Sequence, residues 1–211
     1  MSRLLIGFVK VTGFLPQLLL FRTKITYRDR AAQSRKIKGA AIVVSNHTSV
    51  WDYAVLLFVF IGRILRTQMA ELLFKKGFMG PFLKGMGGIC VNRDTHDMSF
   101  VRQSLSILEK GGVLCVFPEA RLPRAGEARP LPFQTSATYI ALESGAPILP
   151  VCTNGSYFNK HRARVRIGTP IDARAYWKPE EDEKTNLERI TAVIRDRVIE
   201  LGEELGREQA K

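Results

Sequence analysis

Residues 40–61 read AAIVVSNHTSVWDYAVLLFVFI. The stretch opens on a continuous apolar run, Ala40–Val44, as expected of a strand buried on both faces. It closes on Asp52–Ile61, a strongly apolar helix candidate, with the polar Ser45–Ser49 between the two. A buried strand feeding a helix through a short polar turn is the repeating unit of a parallel α/β sheet, and the same alternation continues downstream. Arg66–Ala70, Gly88–Val91, Val113–Phe117 and Ile148–Val151 read as strands, the second and third of them as buried ones. Ser99–Lys110 sets Val101, Leu105 and Leu108 on one helical face and stops at Gly111. Phe78–Met86 is a short amphipathic helix candidate, and Gln134–Ser144 is a helix ended by Gly145.

Pro150 inside its strand predicts a sheet edge or a bulge, and the alternating Arg164–Ile167 predicts an edge strand. A last helix shows a capping box at Thr185 and Glu188, with Leu187, Ile190, Ile194, Val198 and Leu201 on one stripe. The expected architecture is one α/β domain over residues 39–211: a mixed, mostly parallel sheet flanked by helices, preceded by a segment at residues 1–38.

The chain has 211 residues, 45 % of them hydrophobic, enough to bury a core and too many for a disordered basic tail. Its net charge of +12 calls for an anionic partner: nucleic acid, an anionic membrane surface or a phosphorylated substrate. The charge is uneven. Residues 1–38 carry nine basic residues against Asp29 alone, whereas residues 172–211 carry eleven acids against eight bases. The basic residues bracket a greasy stretch, Leu4–Phe21, broken by Lys10, Thr12, Pro16 and Gln17.

No run in the chain reaches the roughly 18 consecutive apolar residues of a declared spanning helix, and no signal-peptide core or cleavage site is evident. A spanning helix would carry Lys10 into hydrocarbon. A helix lying in the interface, with Arg3, Lys10, Arg22 and Lys24 among lipid phosphates, costs less. The competing expectation is a core-packed N-terminal helix beside a solvated basic face. Phe74–Lys84 interleaves lysines with bulky apolar residues, as either a bilayer-dipping surface or an amphipathic helix packed on the sheet does. A nucleic-acid binder would carry its charge on a recognition helix or sheet with stacking aromatics, so nucleic acid is the least expected partner. Cys90, Cys115 and Cys152 lie far apart in apolar runs, without metal-ligand spacing. They read as small hydrophobes in a reducing compartment.

Chemistry-bearing residues gather at the carboxyl ends of the expected strands, where ligands bind in open α/β sheets. His47 and Asp52 are five apart. On a continuous helix their side chains would diverge by about 140°, so they meet only if His47 sits in the turn and Asp52 in the first helical turn. So placed, the carboxylate orients the imidazole as a general base for a hydroxyl proton. Ser49 and Asp52 equally resemble a capping box, in which Asp52 only satisfies a helix end. Further along, Asn92-Arg93 follows one strand, Phe117-Pro118-Glu119-Ala120-Arg121 another, and Pro150 lies in a third. Singly, Arg93 reads as a surface ion-pair partner and Glu119 as a solvated turn residue. Together they put a base, a carboxylate and phosphate-matching guanidinium groups on one rim. No G-x-S-x-G elbow of a serine hydrolase is present.

In order, NHTSVWD, GGICVNRD, FPEAR and ILPV, spread over residues 40–152, resemble the four blocks of the glycerolipid acyltransferase family, whose best-known members are lysophosphatidate acyltransferases. The resemblance implies that His47 deprotonates the acceptor hydroxyl while Asp52 orients it, that Asn92, Arg93 and Glu119 lie in the glycerophosphate site, and that Pro150 borders the acyl site. It implies direct transfer from acyl-CoA or acyl-carrier protein to a lysophospholipid, with phosphatidic acid as product, no cofactor and no metal, at the cytoplasmic face of the membrane. The third block departs from the usual Phe-Pro-Glu-Gly-Thr-Arg: Ala120 replaces the glycine and Arg121 comes one residue early. Either Arg121 reaches the phosphate through a changed turn or Arg124 takes its place. Another lyso-lipid acceptor is the alternative within the class, and a non-enzymatic basic peripheral membrane protein the alternative outside it.

Overall fold

A computed structural model describes residues 3–92, 98–158 and 162–209. Helix α1 spans Arg3–Phe21 and is followed by strand β1, Lys24–Tyr27. Then come β2 (Ala41–Ser45), α2 (Asp52–Val59), β3 (Leu65–Ala70), α3 (Glu71–Phe74), α4 (Met79–Gly85) and β4 (Gly88–Val91). The chain continues through α5 (Ser99–Glu109), β5 (Val113–Val116), α6 (Ser136–Ser144), β6 (Ile148–Thr153) and β7 (Arg164–Ile167). A 3-10 turn, Ala173–Tyr176, leads into the long α7, Glu183–Gln209.

The seven strands form one sheet in the order β1-β7-β6-β2-β5-β3-β4, parallel at every pairing except β6–β7. The expected α/β class and mostly parallel sheet therefore hold. The centre is fully buried: Ile42, Val43 and Val44 of β2 and Leu114 and Cys115 of β5 expose nothing. Each buried aliphatic side chain of this kind stabilises the fold by about 1.5–3 kcal/mol. On one face the sheet packs against α5, α6 and α7, through residues such as Leu108, Ile140 and Ile194. On the other it packs against α2, through Val55, Leu56 and Val59.

Two expectations need correction, and for Pro150 the structure selects between two. β7 is interior, because β1 pairs along its outer side from Lys24↔Arg164 to Tyr27↔Ile167. The alternation of β7 has another cause: Arg166 meets Glu204 and Glu208 of α7, and Arg28 just past β1 meets Glu200 and Glu204. The acidic C-terminal helix thus neutralises a basic sheet face. Of the sheet edge or bulge that Pro150 predicts, the bulge holds: Pro150 lies in an interior strand, between β2 and β7. It is tolerated because the β7 side gains one residue there: Val151 pairs with Ile167, but Ile148 bridges Ile171. That offset leaves the missing proline N–H without a ladder partner to disappoint. Finally, the α7 cap is Asp182, whose carboxylate accepts the Thr185 N–H at 2.9 Å and its hydroxyl at 2.6 Å, so Thr185 lies inside the helix.

α1 is two-faced. Ile6, Lys10, Gly13, Gln17 and Phe21 point inward at helical spacing, and Ile6 packs with Leu57 and Met86. A Cβ on Gly13 would stand 2.8 Å from the Phe58 ring, so glycine sets how closely α1 approaches α2. Lys10 is not available to lipid phosphates: its Nζ donates to the carbonyls of Ile61 (2.7 Å) and Arg63 (2.6 Å) beyond the end of α2. A cation suits those orphan acceptors at a helix C-terminus. The opposite face exposes Leu4, Phe8, Val11, Leu15 and Leu19, each by 66 % or more, and carries no charge.

Candidate active site

β2 ends at Ser45, and the next six residues turn the chain into α2. Asn46 closes the strand end: its amide donates to the Thr153 carbonyl at 2.9 Å and its carbonyl accepts the Thr153 N–H at 2.8 Å, prolonging the β2–β6 ladder by a side chain. His47 follows in the turn and Asp52 opens the helix, the arrangement the five-residue spacing demands. His47 Nδ1 lies 2.9 Å from Asp52 Oδ2.

Asp52 is wholly buried yet fully bonded. Its Oδ2 also accepts the backbone N–H groups of Thr48 (2.6 Å) and Ser49 (2.8 Å). Its Oδ1 accepts the hydroxyls of Tyr157 (2.6 Å) and Thr48 (2.8 Å), with Thr153 at 3.4 Å. Burial by itself would raise this carboxyl's pKa. Hydrogen bonds from His47, Tyr157, Ser49 and Thr48 outweigh it and hold the pKa below its ordinary value. An ionised Asp52 takes the Nδ1 proton, which leaves the lone pair on Nε2. Among the described residues no group bonds Nε2, and the ring is about one-fifth exposed. Phe117 stacks on its face at 4.5 Å.

Both oxygens of Glu119 are committed to backbone: Oε1 accepts the His47 N–H and Oε2 the Leu131 N–H, each at 2.7 Å. The carboxylate is turned inward, 4 % exposed, and its pKa is raised by burial against these two bonds and the nearby His47. It therefore fixes the backbone from which the imidazole projects. An amide in its place would face one of the two N–H groups with a donor. Glu119→Gln is expected to lose about 1–3 kcal/mol of stability in denaturant unfolding, with a measurable loss of activity at temperatures where it stays folded. Wild-type stability in this variant would show that the two bonds do not hold the turn.

Ala120 adopts φ +62°, in the left-handed region, so the conformation that favours glycine persists at this departure from the usual block. A non-glycine residue there is strained by about 1–2 kcal/mol, against a greater unfolded-chain entropy for glycine of about 0.5–1 kcal/mol. Ala120→Gly should stabilise the protein by a few tenths to about 1 kcal/mol, read as a raised unfolding midpoint; a lowered midpoint would contradict the strain.

The remaining sequence candidates fall in three places. Asn92, just past β4, lines a cavity of about 640 Å³ with Gln68, Met69, Phe117, Pro118, Gln134 and Tyr139. Phe117 is common to this cavity and the His47 stack. Arg121 points away to an exposed two-point ion pair with Glu127 (2.7 and 2.8 Å), and Arg124 donates its backbone N–H to the same carboxylate. Pro150 is buried in β6, level with Val44 of β2. Arg93 lies outside the described residues.

Four residues that support the dyad are given no such part by the sequence: Thr48, Thr153, Tyr157 and Phe117. Thr153 has a legible signal, as the polar residue ending a buried strand, but Tyr157 has none. Tyr157 also joins Phe21, Trp51 and Phe158 in an aromatic cluster, with Phe21 at 5.5 Å from it. The last residue of α1 thus packs directly against the tyrosine that bonds Asp52.

Residues 22–154 match the family described as Acyltransferase. A 1-acyl-sn-glycerol-3-phosphate acyltransferase of Haemophilus influenzae is 25 % identical over 202 residues, spanning 89 % of this chain and 80 % of that one. The alpha form of the same enzyme from Bos taurus is 30 % identical over 187 residues, covering 78 % of this chain and 62 % of the relative. The crystal structure of the 1-acyl-sn-glycerophosphate (LPA) acyltransferase PlsC from Thermotoga maritima superposes with a TM-score of 0.65 at 21 % identity, over 93 % of this chain and 79 % of that one. That last likeness speaks to the fold.

Proposed function

The chain belongs to the acyltransferase family, and from that premise we propose that it transfers a fatty acyl group from acyl-CoA or acyl-carrier protein to the free hydroxyl of 1-acylglycerol-3-phosphate, giving phosphatidic acid. The observation that carries the reading is the His47–Asp52 pair at 2.9 Å, with Asp52 buried and saturated by donors. Such a pair supplies a base with one fixed tautomer and one open nitrogen. In this reading Nε2 of His47 removes the acceptor hydroxyl proton as the oxygen attacks the thioester carbonyl. The C–S bond then breaks, and the thiolate leaves with the proton returned from the imidazolium. The buried negative charge of Asp52 stabilises that imidazolium, as uncompensated burial would not. A thiolate is a good leaving group, so no covalent enzyme intermediate is invoked.

A lipid acceptor suits the surroundings. The uncharged face of α1 meets the description of an interfacial helix, and exposed Phe78, Leu72, Val50 and Trp51 add further apolar side chains outside it. With Lys10 docked inward, Arg22 and Lys24 remain for anionic headgroups. We place the protein at the cytoplasmic face of the membrane, lying on the bilayer.

The acceptor headgroup is the finer part of the proposal. Arg121 being held by Glu127 favours a second reading, in which the lyso-lipid is not a phosphate monoester. Turnover of a panel of lysophospholipids, with both donors, separates the two. Fastest acylation of 1-acylglycerol-3-phosphate supports the first, and equal acylation of lysophosphatidylcholine removes it.

A further inference from the structure

A second cavity, of about 1110 Å³, runs beside β4 at the free edge of the sheet. It stretches from Gly62 and Gly112, which precede β3 and β5, to Ser99 and Phe100 at the start of α5. Its cations come from four elements: Arg3 of α1, Arg66 of β3, Lys84 of α4, and Arg102 and Lys110 on and just beyond α5. Among the described residues no carboxylate lines it. Among the described residues none of these five forms an ion pair, whereas Arg28, Arg166, Arg189 and Arg197 all do. Arg63, also in the wall, is tied to the carbonyls of Ile37 and Gly39. Like charges gathered in a concave site without counter-charge repel one another unless an anion enters. The crowding registers at Arg66, whose pKa is lowered by burial first; Tyr53 offsets part of that and the charge of Arg3 adds to it.

Phe100 lines both this cavity and the one that reaches Phe117 beside His47. A ligand filling both has a multiply charged anionic end along β4 and a slim uncharged arm that passes Phe100 towards the dyad. We propose that this groove binds the phosphorylated nucleotide end of a CoA thioester, whose pantetheine arm then delivers the acyl carbonyl to His47. The assignment rests on the acyl-transfer reading above. A CoA molecule carries about four negative charges on its diphosphate and 3′-phosphate at neutral pH, against five cations in the groove. An acidic carrier protein presents a convex surface that would meet the rim, and bilayer headgroups present single charges spread over a plane. A concave groove concentrating five cations fits neither as closely.

The test is calorimetric titration of the intact protein with CoA, 3′-dephospho-CoA and pantetheine. It compares wild type with the triple variant Lys84→Gln, Arg102→Gln, Lys110→Gln. All three positions are exposed side chains, and an unchanged unfolding midpoint verifies the fold. Wild type should bind CoA more tightly than dephospho-CoA, and pantetheine least. The triple variant should weaken CoA about tenfold or more, since each charge-assisted phosphate contact is among the stronger hydrogen bonds, and should blur the difference between CoA and dephospho-CoA. Wild-type affinity for CoA in the variant overturns the proposal. So does loss of binding to phosphatidylglycerol vesicles with CoA affinity intact, which would give the groove to headgroups. Binding is read without turnover: a protein that binds CoA through these cations but acylates no lipid would sink the transfer reading and leave the groove assigned.

Discussion

His47→Ala is expected to slow acyl transfer by about 10²–10⁴-fold, the range general-base catalysis supplies, while the protein stays folded. The ring is partly exposed, and its one side-chain bond among the described residues is to Asp52. Once that ring is gone, Asp52 still accepts from Thr48, Ser49 and Tyr157. No buried carboxylate is orphaned, so the stability loss should stay near 1 kcal/mol, or about 2–4 °C in unfolding midpoint for a chain of this size. Steady-state rates measured beside a thermal melt check both halves. A variant with wild-type turnover removes His47 from the chemistry. A variant that has collapsed in the melt gives His47 a structural task that its bonding does not predict.

Substitution of Asp52 should separate chemistry from architecture. In Asp52→Asn the amide oxygen can keep the Oδ2 position, where three N–H donors converge, and the NH₂ can take the Oδ1 position. The hydroxyls of Thr48 and Tyr157 there can accept as well as donate. The bonding survives and the charge does not. Turnover should fall about 10²–10⁴-fold, because the imidazolium formed during transfer loses its counter-charge, at a stability loss of about 1–2 kcal/mol. Asp52→Ala strands all those donors in a buried site and should lose more than about 3 kcal/mol.

The pH dependence distinguishes the cause. The folded pKa of Asp52 lies below its ordinary 3.8, so its ionic contribution to stability is fully present above 3.8 and is lost as pH falls through the lower folded value. The stability gap between wild type and Asp52→Asn should therefore narrow in acid below about 3.8. A gap independent of pH would mean that the charge contributes nothing to the fold.

Much of this site is legible in the amino-acid sequence, for identifiable reasons. Strands buried on both faces, such as Ala41–Ser45 and Val113–Val116, leave short continuous apolar runs bounded by glycine, proline or polar residues. The dyad can be posed as a geometric condition, because five residues cannot share one helical face. What fails to show depends on contacts distant in sequence. β1 is four residues, Lys24–Tyr27, inside a basic segment, and becomes a strand only because β7 offers it a ladder. Thus residues 1–38 contribute part of the sheet as well as α1. The arginines of β7 resemble a solvated edge because a face paired with carboxylates alternates in the same way as a wet one. Lys10 resembles a lipid contact because the carbonyls it caps lie more than fifty residues away. Glu119 reads as a solvated turn residue, yet its partners are backbone N–H groups, which no pattern of side chains reveals.

The most direct measurement of the central claim is product analysis after incubating the wild-type protein with labelled acyl-CoA and 1-acylglycerol-3-phosphate in anionic vesicles. The His47–Asp52 pair acting on a lipid hydroxyl predicts label in phosphatidic acid, with one free thiol released per acyl group moved. Label recovered only as free fatty acid, or left wholly in the thioester, would contradict it.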